Sequence, residues 1–455
     1  MLTIGSEIHL DIDSLTYGGE GLGRYNGIVI FVPDSVRGDS ITARVVSVKK
    51  YYARAIITNI IKPSQYRVEP FCSLANLCGG CQWQHVDYDE QLNAKMEIVK
   101  ESFKKIAHID IPIKNILKNE THKQFRSKIQ YPVQQTKTKD SFAIGYYTTR
   151  THNIVNIESC PIQPKIIDNI TNFIRKKLID YKLTAYNEKR HFGLIRHLVF
   201  RYSQSKKNLL LIFVINDNKI HKALKELCKL IKIEFPQIEG ILANFNTSKT
   251  NSILSFKMFK IIGNDYIFEE LESKLFRISA NSFFQVNPQM AIKMFNVVKT
   301  MIESRTNNVS ILDVYSGVGA FAIWMLDLAK KIIAIEENPS AIKDLEYNVK
   351  LRSAENKISW INDDAEIVLS KLVNENQNFD VIILDPPRKG CTKNVINAVA
   401  NLCREYIIYV SCNPNTLARD AKMLIDMSFN IEEVQIIDMF TFTYHIESIV
   451  MFKKN

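Results

Sequence analysis

Three rhythms of apolar and polar positions divide the 455 residues of the chain. In the first, β-branched runs at Ser6 to Leu15, Gly27 to Val32 and Ile41 to Val48, continuing into Arg54 to Ile61, alternate with the polar stretches Tyr17 to Gly23 and Pro33 to Gly38. Short strands at that spacing predict a five-stranded barrel over residues 1–62, a common RNA-binding platform. Gly18, Gly19, Gly21 and Gly23 read as turn glycines; no helix follows them, so they are not a dinucleotide fingerprint. In the second rhythm, residues 63–282, Phe125 to Val133, Phe142 to Ile157, Ile195 to Tyr202 and Leu209 to Asn216 read as strands. Ala94 to Ala107, Lys165 to Leu178 and Lys219 to Ile231 have helical spacing, so an α+β region with antiparallel pairs is expected. The third rhythm, within residues 283–455, alternates strands at Ser310 to Tyr315, Lys331 to Glu336, Ile358 to Ile361, Asp380 to Leu384 and Glu405 to Val410 with helices such as Pro339 to Leu351 and Val395 to Leu402. That order predicts a doubly wound, Rossmann-like parallel sheet, so the whole is read as a multidomain α/β chain. Ile431 to Asp438 and His445 to Phe452 have no helix between them and predict a terminal antiparallel hairpin.

With 46% hydrophobic and 24% charged residues, the chain reads as globular. It has no uncharged apolar run of about 18 residues, and Met1 to Leu10 lacks a basic segment leading into an apolar one, so a cytoplasmic location is expected. The net charge of +11 is uneven: +1 over residues 1–62, +13 over 63–282 and −3 over 283–455. An acidic polymer is the partner that such a middle region attracts, and RNA is the obvious candidate; an ordinary solvated lysine-rich surface is the plain alternative. Lys49, Lys50, Tyr51, Tyr52 and Arg54 on the barrel suit phosphates and stacked bases. No membrane step or obligate protein partner is indicated.

Asp313 to Ala320 ends the first strand of the C-terminal region in a glycine turn before a helix, where a backbone closely approaches a ligand. A lone glycine pair is compatible with several cofactors. Glu336 and Glu337 end the second strand, where a carboxylate accepts the hydroxyls of a ribose. Asn362, Asp363 and Asp364 at the third suit an adenine amine or a helix cap. Asp385, Pro386 and Pro387 close the fourth strand in a loop resembling those of nucleobase methyltransferases, which favours S-adenosylmethionine over a dinucleotide.

Ser411, Cys412, Asn413 and Pro414 follow the apolar strand Tyr406 to Val410, at the carboxyl end where open α/β sheets react. Uracil C5 is a poor nucleophile until a thiolate adds at C6, after which a base must remove the C5 proton. Cys412 suits the first task and Glu447, on the terminal hairpin, the second. Without the nearby Asp-Pro-Pro loop, a packing role would be the commoner fate of such a cysteine. His445 either orients the base or stabilises the turn.

These segments carry a resemblance over nearly the whole chain. Gly19 to Arg24 through Val32-Pro33, Phe283-Phe284-Gln285-Val286-Asn287, Asp313 to Gly319, Leu384 to Gly390 and Ser411 to Pro414 resemble the RNA uracil-C5 methyltransferase family, bacterial 23S rRNA members in particular. The resemblance implies a TRAM barrel over residues 1–62, a methyltransferase domain over 283–455, and 5-methyluridine as product, in 23S rRNA or alternatively tRNA. It implies Gln285, Tyr315, Glu336 and Asp385 as the S-adenosylmethionine site, Cys412 as nucleophile and Glu447 as base, with Phe283 stacking on a flipped base. Ser316 stands where relatives often have cysteine, and Thr441-Phe442 replaces a usual proline-containing step. Neither departure removes a group the chemistry needs.

Cys72, Cys78 and Cys81 form C-x5-C-x2-C with Gly79 and Gly80 inside, and Cys160 before Pro161 is available as a fourth ligand. Spacing permits zinc or an iron–sulfur cluster; the resemblance implies a [4Fe-4S] cluster. A radical enzyme is disfavoured by the spacing, because such enzymes use C-x3-C-x2-C and leave one iron open. Two other readings compete with uracil methylation: methylation of an exocyclic base amine, which leaves Cys412 and Glu447 without a task, and a non-catalytic RNA-binding protein with a redox-responsive cluster.

Overall fold

The structure is a computed structural model that describes residues 2–136 and 141–455. The expectations touching Met1 and residues 137–140 fall outside the described residues. The chain forms two compact units, both assembled from separated segments: Met1–Lys118, Pro387–Gly390 and Val410–Val450 make the first, and Asn119–Pro386, Cys391–Tyr409 and Met451–Asn455 the second.

In the first unit, strands Glu7–Leu15, Gly21–Tyr25, Ile28–Val32, Ser40–Val48 and Tyr52–Lys62 close into a barrel. Glu7–Leu15 alternates exposed and buried positions, as a period-two strand does when one face lines a core. Ile8, Leu10, Ile12, Ile30, Val32, Ile41 and Val45 fill the interior. Gly18 and Gly19 take left-handed conformations at φ 137° and 87° and are turn residues as expected. Gly21 and Gly23 are not: both lie within a strand, and a Cβ there would meet Ser35 Oγ at 2.0 Å and Asp11 O at 2.3 Å. They are glycines because the barrel wall is tightly packed, a cause that the turn reading overlooked.

After a loop carrying Cys72, Cys78 and Cys81, helix Tyr88–Ser102 begins at Asp87, whose carboxylate accepts the Asp89 and Glu90 amides. A single π turn, Phe103–Ala107, ends it. Strand Ile113–Leu117, unseen in the pattern of the central region, pairs in parallel with Phe429–Ile437. Phe429–Ile437 neighbours Glu447–Lys454, the two runs expected as a terminal hairpin. Helix Pro414–Asp426 follows Cys412 and is capped by Asn413, with Pro414 in its first turn.

The second unit contains a six-stranded sheet ordered Met258–Gly263, Ile238–Phe245, Leu209–Ile215, Ile195–Tyr202, Lys128–Gln135 and Phe142–Ile144. Leu209–Ile215 is buried at every position, the mark of a strand covered on both faces. Ile195–Tyr202 pairs antiparallel with Leu209–Ile215 and with Lys128–Gln135, as expected, while Leu209–Ile215 pairs in parallel with Ile238–Phe245, a connection that the intervening helix Lys222–Glu234 makes possible. Helix Lys165–Asp180 buries Ile167, Ile170, Ile174 and Leu178 along one face. The hairpin Tyr266–Leu271 and Lys274–Ser279 leads to helix Pro288–Glu303. Beyond it, Ile358–Ile361, Ala329–Ile335, Val309–Val314 and Phe379–Leu384 run parallel in that spatial order, followed by Cys403–Ser411. Helices Ala320–Trp324, Pro339–Lys350, Ala365–Asn374 and Lys393–Leu402 connect them, giving the expected doubly wound arrangement. Among the described residues, no helix is long and apolar enough to cross a membrane.

Candidate active site

In the second unit, the strand ends gather carboxylates around a glycine turn. Tyr315 leaves Val309–Val314 in the left-handed region at φ 67°, and Gly317 and Gly319 continue the turn at 56° and 80°. The Gly317 and Asn338 amides donate to Glu336 Oε2 and Oε1 at 2.9 and 2.8 Å. Those bonds fix the carboxylate and leave lone pairs on both oxygens for hydroxyl donors. Burial raises the Glu336 pKa, and the two amides act against that rise.

Asp385 donates its amide to Val314 O at 3.4 Å. Desolvation of its carboxyl pushes the pKa up to about 7. Asp313, one residue inside the neighbouring strand, is also pushed up to about 7, by burial first and then by the charges of Asp385 and Glu336. The Ala322 amide donates to Asp313 Oδ2 at 3.1 Å, while Asp313 Oδ1 and Ser316 Oγ are buried without a hydrogen-bond partner among the described residues. Unsatisfied acceptors beside a fixed carboxylate fit a ligand rich in amine and hydroxyl donors, as S-adenosylmethionine is. Asp313 was read from sequence only as part of the glycine turn; its position before that turn, inside an apolar strand, was the available signal.

Tyr315 lies beside Cys391, and burial raises its hydroxyl pKa. Gln285 is buried, its carbonyl accepting from Ser127 Oγ at 3.4 Å. The Phe283 carbonyl lies 4.0 Å from where a Cβ on Gly317 would sit, so this segment passes the glycine turn. The Phe283 ring is 59% exposed, available to stack. Asp364 caps Ala365–Asn374, accepting the Glu366 and Ile367 amides, which gives it the capping role of the two foreseen.

The first unit holds Cys412 and Glu447. Cys412 is half-buried just past Ser411, and Glu447 is buried at the start of its strand. Asn413 braces the loop, donating from Nδ2 to Arg388 O at 3.0 Å. Gly390 permits the crossing, since a Cβ there would sit 2.6 Å from Arg419 Nη2 and from Asp420 Oδ2.

A residue given no role by sequence reasoning joins the two. Tyr17, from the barrel turn, donates its hydroxyl to Cys412 O at 3.2 Å and packs edge-on against Tyr444 at 5.5 Å. Its pKa is pushed up to about 12, by burial first, then by Cys412, with Tyr444 and Glu447 adding and Arg388 opposing. The charges of the nucleophile and base candidates thus both act on one phenol. Arg388 Nη2 lies 3.4 Å from His445 Nε2, and the His445 ring packs on Tyr444 at 4.4 Å, so this histidine is held within the turn.

The segment leading to Glu447 is anchored by a buried ion pair. Lys95 Nζ donates to Asp438 Oδ1 at 2.5 Å and to Phe440 O at 3.1 Å, while Tyr88 and Thr441 hydroxyls donate to Asp438 Oδ2 at 2.8 Å. Trp83 ties the barrel turn to the same segment, its amide donating to Phe442 O at 2.9 Å and its indole to Gly19 O at 3.2 Å. Breaking such a buried pair by removing one partner costs about 3–5 kcal/mol. The altered Thr441-Phe442 step is thus held by its own contacts, Phe442 packing against Phe71 at 5.0 Å.

The four cysteines of the candidate metal set are divided between the two units. Cys72, Cys78 and Cys81 are half-buried in one loop, with the Gly80 amide donating to Cys78 Sγ at 3.4 Å. Cys160 belongs to the other unit, its amide held by Asp168 at 3.2 Å. Among the described residues, no group of three or more His, Cys, Asp or Glu side chains that could hold a metal ion is found.

A family model described as tRNA (uracil-5-)-methyltransferase matches residues 87–455, and a TRAM-domain model matches residues 2–58. An uncharacterized RNA methyltransferase of Clostridium tetani is 34% identical over 447 residues, covering 98% of this chain and 96% of that one. Another, from Fusobacterium nucleatum, is 34% identical over 455 residues, covering 100% and 97%. Among solved structures, the Pyrococcus abyssi tRNA (uracil-54, C5)-methyltransferase in complex with S-adenosyl-L-homocysteine superposes with a TM-score of 0.74 at 25% identity, over 98% of this chain and 100% of that one. The barrel, the strand-end carboxylates and these matches agree: the chain belongs to the tRNA (uracil-5-)-methyltransferase family and is an S-adenosylmethionine-dependent enzyme that methylates uracil in RNA.

Proposed function

We propose that the chain methylates C5 of a specific uridine in 23S rRNA, with Cys412 as nucleophile and Glu447 as base. What supports the mechanism is the Tyr17 hydroxyl bond to the Cys412 carbonyl, together with the charges of Cys412 and Glu447 both raising the pKa of that phenol. The Cys412 thiolate adds to C6, which makes C5 an enolate-like nucleophile. S-adenosylmethionine, held by Gln285, Tyr315, Glu336 and Asp385, supplies an electrophilic methyl group. The Glu447 carboxylate then takes the C5 proton, and expulsion of the thiolate restores the ring double bond. Tyr17 positions the nucleophile's loop through the Cys412 carbonyl. Exposed Phe283 stacks on the extruded base.

The resemblance to bacterial 23S rRNA enzymes supports the rRNA address. A second reading, tRNA uridine, is favoured by the likeness to the archaeal tRNA (uracil-54, C5)-methyltransferase. Incubating total RNA from a deletion strain with methyl-labelled cofactor separates them: 5-methyluridine is expected in 23S rRNA. Label confined to tRNA selects the second reading, and label on any other nucleoside removes the uracil chemistry.

We also propose, from cysteine spacing and resemblance, that Cys72, Cys78, Cys81 and Cys160 hold a [4Fe-4S] cluster, with zinc as the alternative. Protein purified without oxygen is expected to carry iron and labile sulfide in cluster stoichiometry, with broad visible absorption. Zinc alone, or no metal, refutes the assignment.

A further inference from the structure

The second unit contains a cavity of about 600 Å³ that shares no lining residue with the strand-end set. Its lining includes Tyr147, His152, Tyr186, Glu188, Arg196 and His197. Tyr147 and His152 stack at 5.2 Å and 23°, presenting a flat face, and His152 Nδ1 is held 2.6 Å from Glu188 Oε2. Tyr186 lies under the buried Arg196 guanidinium, whose Cζ is 4.5 Å from the ring centroid. Arg196 Nη1 donates to Asn246 O at 2.6 Å and Ser248 O at 2.8 Å, which fixes the cation.

Arg196 Nε and His197 Nδ1 are buried there with no hydrogen-bond partner among the described residues. Burial first, and then the Arg196 charge, lowers the His197 pKa to about 4, so the imidazole is neutral at pH 7 and either accepts or donates one hydrogen bond. Aromatic faces, a fixed guanidinium and unsatisfied edge groups are what an unstacked nucleobase needs. The volume lies within the usual range for small-ligand pockets, about 300–1,000 Å³.

We propose that this cavity receives an unstacked nucleotide of the RNA substrate other than the methylated one, and so contributes to selecting which RNA is modified. The stacked pair Tyr147 and His152 supplies the stacking face, and Arg196 and His197 belong to the polar lining of the same cavity. The inference rests on RNA being the substrate and not on which uridine is modified.

The test uses the full chain and the unmodified RNA pool that accepts label. Tyr147→Ala and, separately, the exposed His152→Ala are expected to weaken RNA binding about tenfold or more, the scale of one lost stacking contact. The loss should be equal at every salt concentration, because stacking releases no counterions; loss of a phosphate contact would flatten the salt dependence. S-adenosylmethionine affinity by calorimetry should stay at the parental value. Ultraviolet crosslinking of the parent should link RNA to the peptide containing Tyr147 and His152 or to that containing Tyr186. Parental RNA affinity in both variants, or crosslinks that avoid both peptides, overturns the proposal, even if methylation proceeds as proposed.

Discussion

Replacing Cys412 with alanine is expected to abolish methylation, by about 10⁴-fold or more, the scale seen when a covalent nucleophile is removed. Without the thiolate, uracil C5 stays a poor nucleophile and the strand-end carboxylates cannot compensate. The thiol lies in a unit with Tyr17, Arg388 and Glu447, whereas Gln285, Tyr315, Glu336 and Asp385 belong to the other. Cofactor affinity should therefore remain at the parental value. Truncation also removes little structure: the Asn413 bond to Arg388 O at 3.0 Å and the Tyr17 bond to the Cys412 carbonyl at 3.2 Å do not involve the Sγ. Single-turnover kinetics with labelled cofactor, alongside calorimetry, give the decisive pair of readings. Turnover within tenfold of the parent would return the exocyclic-amine chemistry to first place.

Glu447→Gln tests the other half of the reaction and leaves a different signature. The residue is 3% exposed, and glutamine keeps its volume, so packing changes little. What it loses is the ability to accept a proton, an effect of about 10²–10⁴ on rate. Thiolate addition and methyl transfer precede that step. The variant should accumulate RNA linked to Cys412 and already methylated, which survives a denaturing gel and carries the cofactor's label. Release of 5-methyluridine RNA at the parental rate, with no adduct, would assign the base to another residue.

The two halves of the site were unequally legible in the sequence. Cys412, Glu336 and Asp385 end apolar strands, where the alternation of strands and helices makes a carboxyl-end position visible. Asp313 was harder to see as a separate group because it lies inside its strand, one residue before the glycine turn; only its 0% exposure and unsatisfied Oδ1 set it apart. Tyr17 was hidden for another reason. Its role depends on a contact with a residue 395 positions away, and no local period encodes that separation. The same limit concealed Ile113–Leu117, whose short run carries a strand signal but no indication that its partner is Phe429–Ile437. The barrel glycines Gly21 and Gly23 mark the converse error, composition suggesting a turn where crowding within the wall was the cause.

The first unit's segmented make-up has a consequence for synthesis. Met1–Lys118 leaves the ribosome before the segments that complete its unit, Pro387–Gly390 about 270 residues later and Val410–Val450 about 290. At about 5–20 residues per second, the early segment waits for about 15–60 s. The barrel has its own interior, built wholly from this early segment. Lys95, by contrast, gains its carboxylate partner only when Asp438 arrives. The thiol and its companion tyrosine come together only once Cys412 has been made, so products truncated before it keep the barrel segment but not the reactive centre.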